Sequence, residues 1–142
     1  MVDMNVREAT ARVEVAAPAE EVWAAMTDWS RQHEWMVGTR VYVVAGDGRS
    51  VGSRLLGCTG LLDIGFVDLL EITVWEPPRR CRVRHLGKLL RGWAEFAVEP
   101  SAGGSVVRWT ERLDLPLALL SPLLVVGMRA SLRRLAARVP DC

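Results

Sequence analysis

The chain has 142 residues, half of them apolar and a quarter charged, with a formal net charge of +1. That length suits one domain, able to bury roughly two thirds of its unfolded surface, and the composition is globular rather than disordered. So balanced a charge gives no electrostatic reason to expect nucleic acid or anionic lipid as a partner.

Three cysteines (Cys58, Cys81 and Cys142) show no C-x-x-C spacing. They point to free thiols in a reducing cytoplasm and to no metal site. The opening MVDMNVREATARVEV is charged and alternating, unlike a secretory signal.

Within it, residues 11–17 (ARVEVAA) alternate apolar and polar as a half-buried strand does. PAEEVWAAMTDW then starts a helix, with Pro18 at a first helical position and two glutamates in the first turn. Val22, Ala25, Met26 and Trp29 follow at helical spacing, and SRQHEW reads as a second, shorter turn.

From Gly38 the period becomes two. TRVYVVA and SVGSRLLGC are joined by GDGR, a glycine-rich hairpin signal. FVDLLEITVW is a long strand stopped by Glu76-Pro77-Pro78, since neither proline can donate to a ladder. RCRVRHL, LRGWAEFAVEP and SVVRWTERLDL complete a set of antiparallel strands, with SAGG as another turn.

Residues 115–128 (LPLALLSPLLVVGM) carry no charge, yet the run is too short for a membrane-spanning helix, which needs about 20 apolar residues. Pro122 would break a helix running through it. Ser121 as N-cap and Pro122 at the first helical position instead start a new helix, to about Val139. Leu124, Met128, Ser131, Leu132, Leu135 and Val139 share one arc of it, with Arg129 and Arg133 opposite and Val126 the exception on the polar side. This is a packing helix.

Strands followed by one long helix indicate an α+β domain, in which a curved sheet of about seven strands wraps the helix and leaves a cavity of inward side chains. VEVAAPAEEVWAAMTDWSRQHEW, ITVWEPPRRCRVRH and HLGKLLRGWAEFAVEPSAGGSVVRWTERLDLP together resemble the START-like superfamily of the helix-grip fold. This superfamily, also called SRPBCC, includes the polyketide cyclase/dehydrase-type proteins. The likeness spans roughly residues 9 to 139, and the order of elements carries it rather than any single motif. It implies one ligand-binding domain whose pocket takes a hydrophobic molecule such as a lipid or polyketide. No cofactor is implied. The gate and glycine-rich loops of the plant hormone-receptor and pathogenesis-related branches are not found.

The most tempting motif is Gly48-Arg49-Ser50-Val51-Gly52, a literal G-x-S-x-G. In a hydrolase that serine occupies a strand-to-helix elbow. Here it lies in a hairpin, and Asp63 or Asp68 followed by His85 is a chance ordering. An ordinary turn is the expectation.

Strand parity supplies a better list. Cys81, Val83 and His85 share a face, as do Gly92, Ala94, Phe96 and Val98; so do Val107, Trp109, Glu111 and Leu113, and Phe66, Asp68, Leu70, Ile72 and Val74. The apolar members mark these faces as inward. Phe66, Leu70, Ala94, Phe96 and Trp109, with Leu124 and Met128 from the helix, are therefore the expected ligand contacts. Asp68, His85 and Glu111 are polar residues on the same faces. Burying them unpaired costs roughly 1–3 kcal/mol each. Either they are satisfied structurally by arginines or at strand ends, or they orient a ligand's polar end. As catalytic candidates they are an acid-base set awaiting a substrate proton.

Six tryptophans accompany one tyrosine. The resemblance places Trp35 at the pocket mouth and makes it a ligand-contact candidate. Parity points Trp93 outward, where with Leu90 it would suggest a partner surface. Three functions follow: carriage or sensing of a hydrophobic ligand; a cyclase or aromatase folding a poly-β-ketone; or a protein-interaction module of the toxin-antitoxin or co-chaperone kind. The oligomeric state, monomer or homodimer, stays open at this point.

Overall fold

A computed structural model of the chain describes residues 6–61, 64–87, 91–114 and 121–139. Strand β1 (Val6–Val15) leads into helix α1 (Ala19–Met26) and a 3₁₀ helix (Trp29–Glu34). Six strands follow: β2 (Thr39–Ala45), β3 (Arg54–Leu61), β4 (Ile64–Glu76), β5 (Arg80–His85), β6 (Gly92–Ser101) and β7 (Gly104–Asp114). Helix α2 (Ser121–Arg138) ends the fold. The chain is thus α+β, with the strands in one sheet of order β1-β7-β6-β5-β4-β3-β2, every pair antiparallel. The sheet is open: β1 and β2 are its two edges.

Each element arises where its residue pattern requires, with boundaries moved by tertiary pairing. β1 starts five residues before the alternating stretch because Val6 to Val15 pair continuously with β7. β3 starts at Arg54 rather than Ser50, because Asp47 gathers the residues between β2 and β3 into a turn. Its Oδ1 accepts from the Arg49 N–H (2.7 Å) and the Ser50 hydroxyl (2.9 Å). The G-x-S-x-G serine is therefore a turn residue, and its hydrogen bonds are local.

In β4 the pairing register shifts between Ile72 and Val74. This bulge reverses the expected parity beyond it. Val74, expected inward, shares the outer face with Arg82, and Trp75 turns in opposite Cys81. There its ring meets Trp23 of α1 edge-on, at 5.1 Å between centroids.

Helix α2 buries Met128, Ser131, Leu132 and Leu135, with Val139 buried just past its end, leaves Val126 exposed, and rests chiefly against β1. Leu124, expected in the same buried stripe, is only half-buried. The residues 115–120 of the uncharged run lie outside the described residues, as do Asp63 and Leu90. No helix among the described residues is long and apolar enough to cross a membrane.

Candidate functional site

Because the sheet is wider than one helix can cover, space remains between α2, the 3₁₀ helix and the inner face of the sheet. It forms a cavity of about 460 Å³. From the strands, Phe66, Leu70, Ala94, Phe96 and Trp109 line it, as do Asp68, His85 and Glu111; Leu124 and Met128 line it from the helix. Phe66 is 49% exposed, so the cavity is not sealed.

Trp35 departs from expectation. It is not on the cavity wall and is 3% exposed, packed behind the wall against Phe96 and Trp109 at 5.8 and 6.3 Å between ring centroids. The 3₁₀ helix turns it inward instead of toward the mouth.

Four wall residues not expected from the sequence come from the same region: Trp29, Gln32, Met36 and Val37. Trp29 and Gln32 share one face of the 3₁₀ helix with Trp35, since side chains three apart eclipse in that geometry. That period, applied to WSRQHEW, is the signal that would have found Gln32. Trp29 donates its indole N–H to the Gly48 carbonyl (2.8 Å), tying the helix to the β2–β3 turn. Val37 donates its N–H to the Ser131 hydroxyl (3.0 Å), which in turn donates to the Gly127 carbonyl (2.8 Å). This contact fastens the segment after the 3₁₀ helix to α2 at the cavity.

Asp68, His85 and Glu111 come together. His85 donates from Nδ1 to Asp68 Oδ2 at 2.7 Å and from Nε2 to Glu111 Oε2 at 3.2 Å. Glu111 Oε1 accepts the Trp109 indole N–H at 3.1 Å. The His85 side chain is 7% exposed. Burial alone would push its imidazole down, but the hydrogen bonds to Asp68 and Glu111 and their charges outweigh it and raise the ring from 6.5 to about 9. At neutral pH it is an imidazolium held between carboxylates.

The geometry depends on β6. In register, His85 faces Gly92 and Glu111 faces Ala94, so the His85–Glu111 bond reaches across an intervening strand.

Two polar atoms on the wall are buried without a partner among the described residues: Asp68 Oδ1 and Gln32 Oε1. Cys81, also on the wall, has its thiol pushed up to about 12 by burial, with the Glu95 charge adding to the effect; it is a packing group rather than a nucleophile. Both His85 ring nitrogens are occupied by carboxylates, and no group of three or more described His, Cys, Asp or Glu residues is arranged to hold a metal. On the opposite face, Trp93 is half-buried and covered by the Arg82 guanidinium at 4.0 Å, which is itself paired with Glu95. The bare tryptophan patch expected there is not present.

A family model described as polyketide cyclase / dehydrase and lipid transport matches residues 6–140. No curated protein matches the chain. Among solved structures, a protein from Thermus thermophilus is similar at 18% identity, with 95% of this chain and 98% of that one covered and a TM-score of 0.77. The di-domain ARO/CYC StfQ from the steffimycin biosynthetic pathway matches at 14% identity, with a TM-score of 0.79 over 97% of this chain and 52% of that one. A norcoclaurine synthase point mutant from Thalictrum, in complex with a transition-state analogue, matches at 15% identity, 96% and 95% coverage and a TM-score of 0.73. At these identities the solved structures speak for the helix-grip fold alone.

Proposed function

Because the chain belongs to the polyketide cyclase / dehydrase and lipid transport family, we propose that it binds one small, mostly apolar molecule between sheet and helix, for carriage or sensing. One observation carries this reading: a cavity of about 460 Å³ whose walls are mostly apolar, with the Asp68–His85–Glu111 cluster, Gln32 and a few other polar residues (Thr39, Thr59, Glu95 and Ser131) among the lining. That volume falls within the usual range for small-molecule sites, and few polar groups on an apolar wall are what fixes a ligand's orientation. The ligand contacts are Phe66, Leu70, Ala94, Phe96, Trp109, Leu124 and Met128, with Asp68, His85 and Glu111 at its polar end. The test is native mass spectrometry of freshly purified protein, together with titration by an environment-sensitive hydrophobic dye. A retained apolar mass, or saturable dye binding at one site per chain, is expected. A protein that neither retains a mass nor binds dye would remove the reading.

A second reading, a cyclase or aromatase in the same cavity, is favoured by one feature. Asp68 keeps an unpartnered oxygen on the wall, which suits a general base. His85 suits the role less, since both its N–H groups are already donated. Turnover of a poly-β-ketone mimic that is lost in Asp68→Asn would establish this reading. The interaction-module reading loses the marker that would have favoured it, since Trp93 is covered by Arg82 and the cavity is not closed.

A further inference from the structure

The polar end of the cavity has a definite sense. Within the Asp68–His85–Glu111 cluster the donors are used: the two His85 N–H groups go to Asp68 and Glu111, and the Trp109 indole N–H goes to Glu111. What that cluster leaves unpartnered is an acceptor. Asp68 Oδ1 is buried and unpartnered, and so, independently, is Gln32 Oε1 on a residue that is 1% exposed and lines the same cavity. A buried acceptor is costly to leave unmet and is normally satisfied by something.

The charges have the same sense. Two carboxylates share one imidazole, so the cluster is formally negative even with the ring protonated. No arginine or lysine lies on the wall among the described residues. The nearby Arg82 and Arg84 turn to the outer face of the sheet, where Glu95 and Glu71 hold them at 2.7 and 3.0 Å. A guest ending in a carboxylate would meet like charge at this cluster, whereas a guest ending in an ammonium would meet both an unpartnered acceptor and an opposing field.

From this geometry we propose that the cavity selects apolar molecules whose polar end is a hydrogen-bond donor, an ammonium above a hydroxyl, and rejects those ending in a carboxylate. The proposal rests on the ligand-binding reading above and gives it a substrate class.

The test uses three probes on one skeleton: 2-(2-naphthyl)ethylamine, 2-(2-naphthyl)ethanol and 2-naphthylacetate. Each is titrated by calorimetry into the full chain at pH 7 and fixed salt. The amine is expected to bind roughly tenfold or more tighter than the carboxylate, with the alcohol between. Asp68→Asn removes the charge beside the open position and should bring amine and carboxylate to within about threefold, with the alcohol little changed. Should that variant fail to fold, Glu111→Gln carries the same expectation. A carboxylate binding as tightly as the amine would overturn the proposal, as would an amine preference unchanged in both variants. If the hydrophobic dye binds but none of the three probes does, the donor proposal fails while the cavity reading stands. If the dye does not bind either, both fall.

Discussion

His85 and Asp68 meet diagonally: the residue opposite His85 on β4 is Leu70, and Asp68 reaches it from two positions along the strand, with 2.7 Å between Nδ1 and Oδ2. The diagonal contact has a consequence for pH. The folded-state imidazole is raised from 6.5 to about 9. Its stabilising contribution is therefore complete below pH 6.5, fades between 6.5 and 9, and is gone above that window. The shift corresponds to about 3 kcal/mol. The melting temperature of the wild type should fall as pH rises from 6.5 to 9, while His85→Gln falls much less over the same interval. Parallel curves for the two proteins would show that the cluster does not hold the proton.

Gly92 sets the spacing of β6. Its φ of +123° lies in the region L side chains rarely adopt, and a Cβ would come 1.8 Å from the Arg112 carbonyl oxygen. Gly92→Ala should cost about 2–3 kcal/mol in urea denaturation. A loss below about 0.5 kcal/mol, the range of ordinary surface changes, would contradict the strand geometry.

Ala94→Trp tests the cavity. In a solid core the added ring would cost about 1–3 kcal/mol through overpacking. Projected into open space it should leave the melting temperature within a few degrees and abolish dye binding. Collapse of the variant would mean the space is filled; unchanged binding would mean the ligand sits elsewhere.

Helix α2 offers a graded comparison. Leu132 is fully buried, and Leu132→Asp places an uncompensated charge in the core, so the variant should not fold. Leu124 is half-buried at the cavity wall, and Leu124→Asp should remain folded with weaker dye binding. Circular dichroism and the dye titration separate the two outcomes. Equal loss of structure in both would place Leu124 in the core.

The serine motif gives a contrast between near neighbours. Ser50→Ala should change stability by no more than about 0.5 kcal/mol and leave dye binding unaltered, as at other surface sites. Ser53 is buried and its hydroxyl accepts the Gly48 N–H at 3.1 Å, so Ser53→Ala should cost about 1–2 kcal/mol. Labelling of Ser50 by an active-site serine reagent would return the motif to catalysis.

The order of elements was legible in the residues because each rests on a local signal: Pro18 opening a helix, the two-residue period of the strands, the prolines after Glu76. The meeting of Asp68, His85 and Glu111 was legible only in part. Parity put all three on inward faces, but their approach to one another depends on register between β4, β5, β6 and β7, which no local pattern encodes. Val74 and Trp75 exchanged faces for the same reason, since one bulged residue shifts the count. Trp35 and Gln32 were misjudged or missed because a 3₁₀ turn repeats in three, and its helical or extended character is not fixed by composition.

Trp109 touches both halves of this arrangement, standing on the cavity wall and donating its indole N–H to Glu111. Trp23 and Trp75 face each other and are absent from that wall. The molecule therefore carries its own lamp. A guest in the cavity changes the surroundings of the two indoles on its wall, Trp109 and Trp29, so its arrival should shift and quench ultraviolet emission without any attached dye. In Trp109→Phe the share of that change owed to the acceptor end should go dark, while Trp29 still answers.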